Sequence, residues 1–374
     1  MMGTIPVMRV NYTIPQLIGS IFVSERSNRY RERLKEMVRI FFEVDNVLLT
    51  SSARCAIYMI VRSLPQQKVI VPAYTCEVVI EAIKLAGKEV VYAPVDKTSL
   101  NIKEYPEIDS DTIVVATHQY GNPCEMINLV KKCKEVGAIV IEDCAGSFGS
   151  RINGKLTGTI GDFGVFSFSA SKTLHSPTKG GFIIARSKEL LELIQPLDEK
   201  KGLLSFKIKN IVKAFGFCLA KNKMLSSWLF KKGHSSSPSE DAYLNDESYR
   251  YGFYEWQAYV VLKQFSNVES SLMERRKLYN RYYEGVNNDL ILGISANMGG
   301  AFIRYPIFVK DRERFIEHCR INNIAVGTGY NRLYCPDEFV SEHQISKEIV
   351  YLPFGNGYKN KDIDKVINVV NSYK

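Results

Sequence analysis

Asp143 and Lys172 are the two residues of this chain whose types and spacing suggest covalent chemistry on a carbonyl group. Asp143 closes the run Ala138-Ile139-Val140-Ile141-Glu142-Asp143. Lys172 follows Gly164-Val165-Phe166-Ser167-Phe168-Ser169-Ala170-Ser171, with Gly180-Gly181 behind it. The first run is too short for a helix and rich in β-branched residues, so it reads as a buried parallel strand. Asp143 then stands at a carboxyl end of the sheet, where ligands gather in open α/β folds. A lysine kept neutral by partial burial beside a cation can condense with an aldehyde. A carboxylate facing it can hold a ring nitrogen protonated and so make the ring a better electron sink. Taken alone, each residue is more simply a solvated charge, but the pair in this order is the layout that grips pyridoxal phosphate from both ends.

The flanking residues sharpen this reading. Glu142-Asp143-Cys144-Ala145, then Gly158 to Gly164 with Asp162 between the last glycines, then Phe166-Ser167-Phe168 leading to Lys172, then Gly180-Gly181, stand in a fixed order. This order resembles that of the sugar aminotransferases of the DegT/DnrJ/EryC1/StrS family, and the resemblance runs from about residue 30 to the end of the chain. It implies an α/β protein of the pyridoxal-phosphate-dependent transferase type I fold. The expected architecture is a mostly parallel sheet in a large domain, 1–250, and a smaller α+β C-terminal domain, 251–374. The implied reaction moves an amino group from glutamate to a keto carbon of a nucleotide-linked sugar, in surface polysaccharide or glycan biosynthesis. Lys172 would form the Schiff base and shuttle the proton, Asp143 would hold the ring nitrogen, and a homodimer would complete each cleft.

The phosphate site is expected where Val47-Leu48-Leu49-Thr50 enters Ser51-Ser52-Ala53-Arg54 and a helical run over 55–64. A helix N-terminus offers unpaired amides and partial positive charge. Ser52, Ala53 and Arg54 are similar to a Ser-Gly-Arg variant of the family, and the Ser167 hydroxyl would join them. A plain serine cap is the other reading. Val69-Ile70-Val71-Pro72 leads to Cys76, where family members commonly place an aromatic that stacks on the ring. A thiol supplies less flat apolar surface. Ile113-Val114-Val115-Ala116 leads to Thr117-His118-Gln119-Tyr120-Gly121, similar to the family's His-x-x-Gly turn, so His118 and Tyr120 are candidate walls of the substrate site. Gly146 stands where the family usually has Gln or His, leaving Ser147 to supply that contact, and Lys179 stands where Asp or Glu is more usual.

These departures keep two other readings open: a degenerate homologue serving as an assembly or regulatory subunit, and a dehydration on a nucleotide sugar. Family dehydratases replace the lysine by histidine, and Lys172 argues against the second.

Composition sets the outer bounds. Hydrophobic residues make up 45% and charged residues 24%, as in ordinary globular proteins. No signal-peptide pattern or run of about 18 apolar residues occurs, so a cytoplasmic protein is expected. Eight cysteines and five histidines show neither Cys-x-x-Cys pairs nor ligand spacing, which supports no disulfide framework and no metal site.

The net charge of +9 equals the nine lysines of residues 200–239, a segment without arginine or acid. There Ile208, Ile211, Val212, Phe215 and Leu219 fall at helical spacing in what reads as a basic insertion. It is read either as a dock for an anionic membrane, the inner leaflet where lipid-linked glycans are assembled, or as a packing element with solvated lysines. Nucleic acid is set aside because its aromatics sit with the apolar residues. Further elements are expected at 27–43, 125–136, 255–265, 268–287, 302–309, 311–322 and 360–372, while residues 1–26 are weakly patterned.

Overall fold

The structure, a computed structural model, describes residues 3–197, 204–220, 251–293 and 299–374. The serine-rich stretch at 234–239 and most of the basic segment lie outside the described residues.

A seven-stranded sheet organises the larger part of the chain. Its strands are β1 (Val47–Thr50), β2 (Lys68–Pro72), β3 (Glu89–Ala93), β4 (Thr112–Thr117), β5 (Ile139–Asp143), β8 (Phe163–Ser167) and β9 (Gly181–Ala185), with the two-stranded ribbon β6 (Arg151–Ile152) and β7 (Lys155–Leu156) lying outside it. The order across the sheet is β1-β9-β8-β5-β4-β2-β3. Only β9 runs against its neighbours, pairing antiparallel with both β1 and β8. The continuous apolar runs arise because both faces are covered. Val69, Val71, Ile113, Val115 and Ile141 pack under helices Ala53–Ser63 and Glu77–Leu85. The alternate residues Ile70, Val114, Ala116 and Val140 meet Leu129 and Cys133 of helix Ile127–Val136 on the other side.

This topology gathers the chemistry on one edge. Because β1, β2, β4, β5 and β8 are mutually parallel, Ser52, Cys76, His118, Asp143 and Ser167 all sit at or just beyond carboxyl ends. Gly181 opens the antiparallel β9 at the same edge.

A third layer holds an aromatic cluster of Phe42, Phe148, Phe166 and Phe182, with Phe166 and Phe182 stacked at 4.4 Å. Helices Arg29–Phe42 and Glu255–Phe265 pack there against each other, so the latter belongs in space with the large sheet. Asn28 precedes the first of these helices in the left-handed region (φ 54°) and gives no side-chain cap. The buried Glu255 caps it instead, accepting from the amides of Tyr30 (2.8 Å) and Arg31 (3.0 Å). Glu25 returns the favour, accepting from the amides of Glu255 and Trp256. Each carboxylate thus lies at a positive helix end, and segments 230 residues apart are joined at their starts.

The smaller body is a four-stranded sheet ordered β10 (Ile291–Gly293), β11 (Tyr305–Val309), β13 (Ile349–Leu352) and β12 (Gly327–Thr328). Helices Val268–Gly285, Arg312–Ile321 and Asn360–Asn371 cover it through Tyr282, Phe315, Ile363 and Val366.

Helix Leu204–Leu219 corrects the stripe expected from its spacing. The buried positions are Lys207, Ile211, Ala214 and Cys218, while Ile208, Val212 and Leu219 are exposed and Phe215 is partly covered. The face is rotated because Lys207 is drawn inward: its ammonium donates to the carbonyls of Ile21 and Val23 at 2.9 Å each, past the end of helix Ile14–Ile21. Unpaired carbonyls at a helix end are natural partners for a lysine.

Candidate active site

A cavity of about 380 Å³ opens between the carboxyl edge of the large sheet and the smaller body. Asp143 and Lys172 both line it, together with Ser52, Ala53, Arg54, Cys76, His118, Tyr120 and Ser167. Of the residues singled out from sequence, Ser147 alone is elsewhere. It is fully buried, its hydroxyl is 3.1 Å from that of Thr157, and it does not line the cavity.

Asp143 is buried at the end of β5, opposite Thr117 of β4 and Val165 of β8. Burial pushes its carboxyl above the ordinary value, opposed by the amide of Ala145 (3.0 Å) and the charge of Lys172. Lys172 moves the other way. Desolvation lowers its pKa against the pull of Asp143, and Arg304 lowers it further. An amine depressed in this way is available as a nucleophile.

The backbone of Lys172 is pinned as well. Its carbonyl accepts from the guanidinium of Arg275 at 3.1 Å and lies beside the ring of His175. Arg275 is buried in helix Val268–Gly285 and also donates to Asn356 Oδ1 at 2.9 Å. The smaller body thereby fixes the lysine that the larger one carries.

Below Asp143 lies a closed network. His118 Nδ1 accepts the amide of Cys124 at 3.1 Å, so Nε2 carries the proton and donates to Glu142 Oε2 at 3.1 Å. Glu142 Oε1 accepts from the amides of Ile160 and Gly161 at 2.7 and 2.8 Å. The ligand atoms of His118, Glu142 and Cys144 lie within 4.8 Å of one another, but hydrogen bonds already engage the first two. The network is a support for the sheet edge.

At the opposite end Ser52 caps helix Ala53–Ser63, accepting from the amide of Cys55 at 3.1 Å, and the helix start faces the cavity. Gly181 allows the approach, since a Cβ there would stand 2.3 Å from the Phe166 carbonyl oxygen and 3.0 Å from Ala53 N. Arg54 turns its guanidinium to the buried Glu81 at 3.7 Å, which leaves anion binding at this point to backbone amides and hydroxyls. Gly146 is explained in the same terms: a Cβ would lie 3.3 Å from both Gly121 N and Ile303 Cδ1, so Ile303 occupies the wall that a longer side chain would fill.

Pyridoxal phosphate fits the residues present. The buried hydroxyls of Thr117, beside Asp143, and Ser51, beside the helix start, have no hydrogen-bond partner, and buried polar atoms are normally paired. When bound, the cofactor supplies an aldehyde and an electron-withdrawing ring. Lys172 Nζ would take the aldehyde, Asp143 the ring nitrogen, and Ala53, Arg54 and Ser167 the phosphate. The cavity also recruits residues the sequence reading did not single out as site residues: Ser169, Ser171, Arg304, Tyr330 and Tyr351.

Residues 23–371 match the DegT/DnrJ/EryC1/StrS aminotransferase family. The chain belongs to this family. Among curated relatives it is 31% identical to the GDP-perosamine synthase of Vibrio cholerae, an alignment covering 47% of this chain and 49% of that one, so it spans about half of that relative's length. It is 26% identical to the dTDP-3-amino-3,6-dideoxy-alpha-D-galactopyranose transaminase of Aneurinibacillus thermoaerophilus over 82% of this chain and 78% of that one. The fold resembles that of a DegT DnrJ EryC1 StrS aminotransferase from Brucella abortus with a TM-score of 0.71, at 20% identity over 95% of this chain and 94% of that one. For the E. coli GDP-4-keto-6-deoxy-D-mannose-3-dehydratase the TM-score is 0.76, at 15% identity over 99% and 100%.

Proposed function

We propose that this family member is a pyridoxal-phosphate-dependent aminotransferase that moves an amino group from glutamate to a keto carbon of a nucleotide-linked sugar, in surface polysaccharide or glycan biosynthesis. The observation that carries this reading is Asp143 and Lys172 facing one cavity whose far end is a helix N-terminus. Lys172 Nζ would hold the cofactor through its aldehyde and, as the amine nearest the donor, would carry a proton to and from the donor's Cα. Asp143 keeps the ring nitrogen protonated. Ser52, Ala53, Arg54 and Ser167 hold the phosphate, Cys76 contacts the ring, and His118 and Tyr120 form the wall nearest the sheet edge. Retention of Lys172 favours amino transfer over dehydration. We propose a homodimer on the strength of the family resemblance.

The test is conversion of a panel of nucleotide ketosugars by the purified protein with L-glutamate. Stoichiometric 2-oxoglutarate and an amino sugar are expected. Absence of 2-oxoglutarate formation, with any ketosugar or none, rejects the glutamate-dependent reading.

A peripheral membrane location in the cytoplasm is the proposed role of the basic segment. No helix among the described residues is long and apolar enough to cross a membrane. Helix Leu204–Leu219 nevertheless exposes Leu204, Ile208 and Val212 alongside the lysines 209 and 213, and the neighbouring helix Ile14–Ile21 exposes Ile14, Ile18 and Ile21. Each lysine near an anionic bilayer contributes about 1 kcal/mol, reduced by salt. The protein is expected to sediment with phosphatidylserine vesicles at low salt and to remain in solution at high salt or with neutral vesicles. Failure to sediment with the anionic vesicles, or unchanged binding after deletion of 203–233, assigns the segment to packing.

A further inference from the structure

The peptide carbonyl of Lys172 is held from two sides. Arg275 Nη2 donates to it at 3.1 Å, and the imidazole of His175 donates to it from Nε2. A carbonyl oxygen has two lone pairs, so both are taken. The tautomer follows from the other side of the ring, where Nδ1 accepts the amide of Asn11 at 2.8 Å and leaves the proton on Nε2. Asn11 makes a second contact, its Nδ2 donating to the Thr173 carbonyl at 2.9 Å. Both peptide planes that follow Lys172 are therefore fixed by side chains. The main chain of His175 is clamped in turn, donating to Gln264 Oε1 at 3.0 Å and accepting from Gln264 Nε2 at 2.7 Å, and Tyr12 meets its ring edge-on at 6.5 Å. His175, Gln264 and Tyr12 are all buried.

Asn11 belongs to a strap that arrives from the smaller body. Ile5 bonds the backbone of Asn323 and Ala325 at 2.9 Å each, and Val7 accepts the amide of Phe354 at 3.1 Å. The Arg9 guanidinium donates to the Gly357 carbonyl and lies over the Tyr358 ring, 4.5 Å from its centroid. Two residues later the chain is on the lysine turn. Asn356, from the same 354–358 stretch, accepts from Arg275 at 2.9 Å. Both donors to the Lys172 carbonyl are thus tied to one loop of the smaller body, Arg275 directly and His175 through the strap. The turn itself is already closed by Lys172 N donating to Ser169 at 3.0 Å and Ser176 N to Phe168 at 2.6 Å. The added contacts act on the direction in which Lys172 leaves the backbone, which matters because its amine sits on a flexible stem.

We propose that His175 is a positioning residue for Lys172, kept in its Nε2-protonated form by the Asn11 amide, and that the strap carries the placement of the smaller body to the lysine. This role rests on the reading in which Lys172 takes the cofactor aldehyde. His175 does not line the cavity, so it acts through the backbone of Lys172.

The test compares the full chain, freed of cofactor, with His175→Phe, His175→Gln and Arg9→Met. Two quantities are read: the rate at which added pyridoxal phosphate forms its absorbing linkage, and the affinity for pyridoxamine phosphate, which carries an amine in place of the aldehyde and cannot link to Lys172. His175→Phe keeps a ring without a donor; it is expected to slow linkage by about tenfold while pyridoxamine phosphate affinity stays within about twofold, because misplacing one reacting group costs rate and spares the other contacts. His175→Gln, whose amide can still donate to the Lys172 carbonyl, should recover most of the rate. Arg9→Met loosens the strap away from the cavity and should slow linkage by about threefold; it decides the matter if His175→Phe does not fold. Parent-like linkage in His175→Phe or in Arg9→Met, or no recovery in His175→Gln, overturns the proposal. So does an equal loss of pyridoxamine phosphate affinity, which marks a role in the fold at large. No linkage in the unaltered chain rejects Lys172 as the aldehyde residue, whereas linkage that the variants leave unchanged rejects the positioning role alone.

Discussion

Lys172→Ala is expected to lower amino transfer by about 10⁴-fold or more, a loss that combines removal of the nucleophile and of the group that moves the proton. The side chain ends in a cavity where desolvation and Arg304 depress its pKa while Asp143 opposes them. Lys179 also lines the cavity, but it stands seven residues later in the chain, beyond the turn whose carbonyl at Lys172 is fixed by Arg275. Folding should survive, because Lys172 contributes its backbone carbonyl to Arg275 and its amide to a turn with Ser169, both of which alanine retains. The measurement is single-turnover absorbance with L-glutamate, beside a thermal melt. Turnover within tenfold of the parent would remove Lys172 from the reaction.

Asp143→Asn is expected to reduce turnover by on the order of 10²- to 10³-fold, the size seen when one preorganised electrostatic partner of a developing charge is removed. The amide keeps the shape and can still accept from Ala145 N, but it cannot hold a ring nitrogen protonated. Phosphate affinity should change little, since the helix start at Ala53 is on a different strand connection, beyond β1. The expected pattern is therefore a kcat effect with nearly unchanged retention of cofactor. An equal loss of both would mean that Asp143 acts by holding the sheet edge together.

Much of this site was legible because the sheet exposes its carboxyl ends in chain order. Val69-Ile70-Val71 and Ile113-Val114-Val115 are apolar on both faces, and each hands over directly to a site residue, Cys76 or His118. Helix Ile14–Ile21 was missed although Thr13, Pro15 and Gln16 form a capping box with a proline in the first turn; its exposed isoleucines broke the expected apolar stripe. The rotation of helix Leu204–Leu219 was hidden for the opposite reason, since Lys207 reads as solvated until the carbonyls of Ile21 and Val23 are placed beside it.

Ser147 was assigned by proximity to Gly146, yet neighbours in a turn point apart, and its hydroxyl meets Thr157 instead. Arg275 and Arg304 carry no local signal at all. One lies in a helix and the other just before a strand of the smaller body, and only the closure of that body over the sheet edge shows which arginine is consumed by structure and which is open.

The most direct measurement of the central claim is reduction of the cofactor-loaded protein with borohydride followed by peptide mapping. The account predicts an absorbance band near the visible edge that disappears on reduction, with the label carried by Lys172 and absent from Lys172→Ala. A label on Lys179, or a protein that binds pyridoxal phosphate without any reducible linkage, would contradict it.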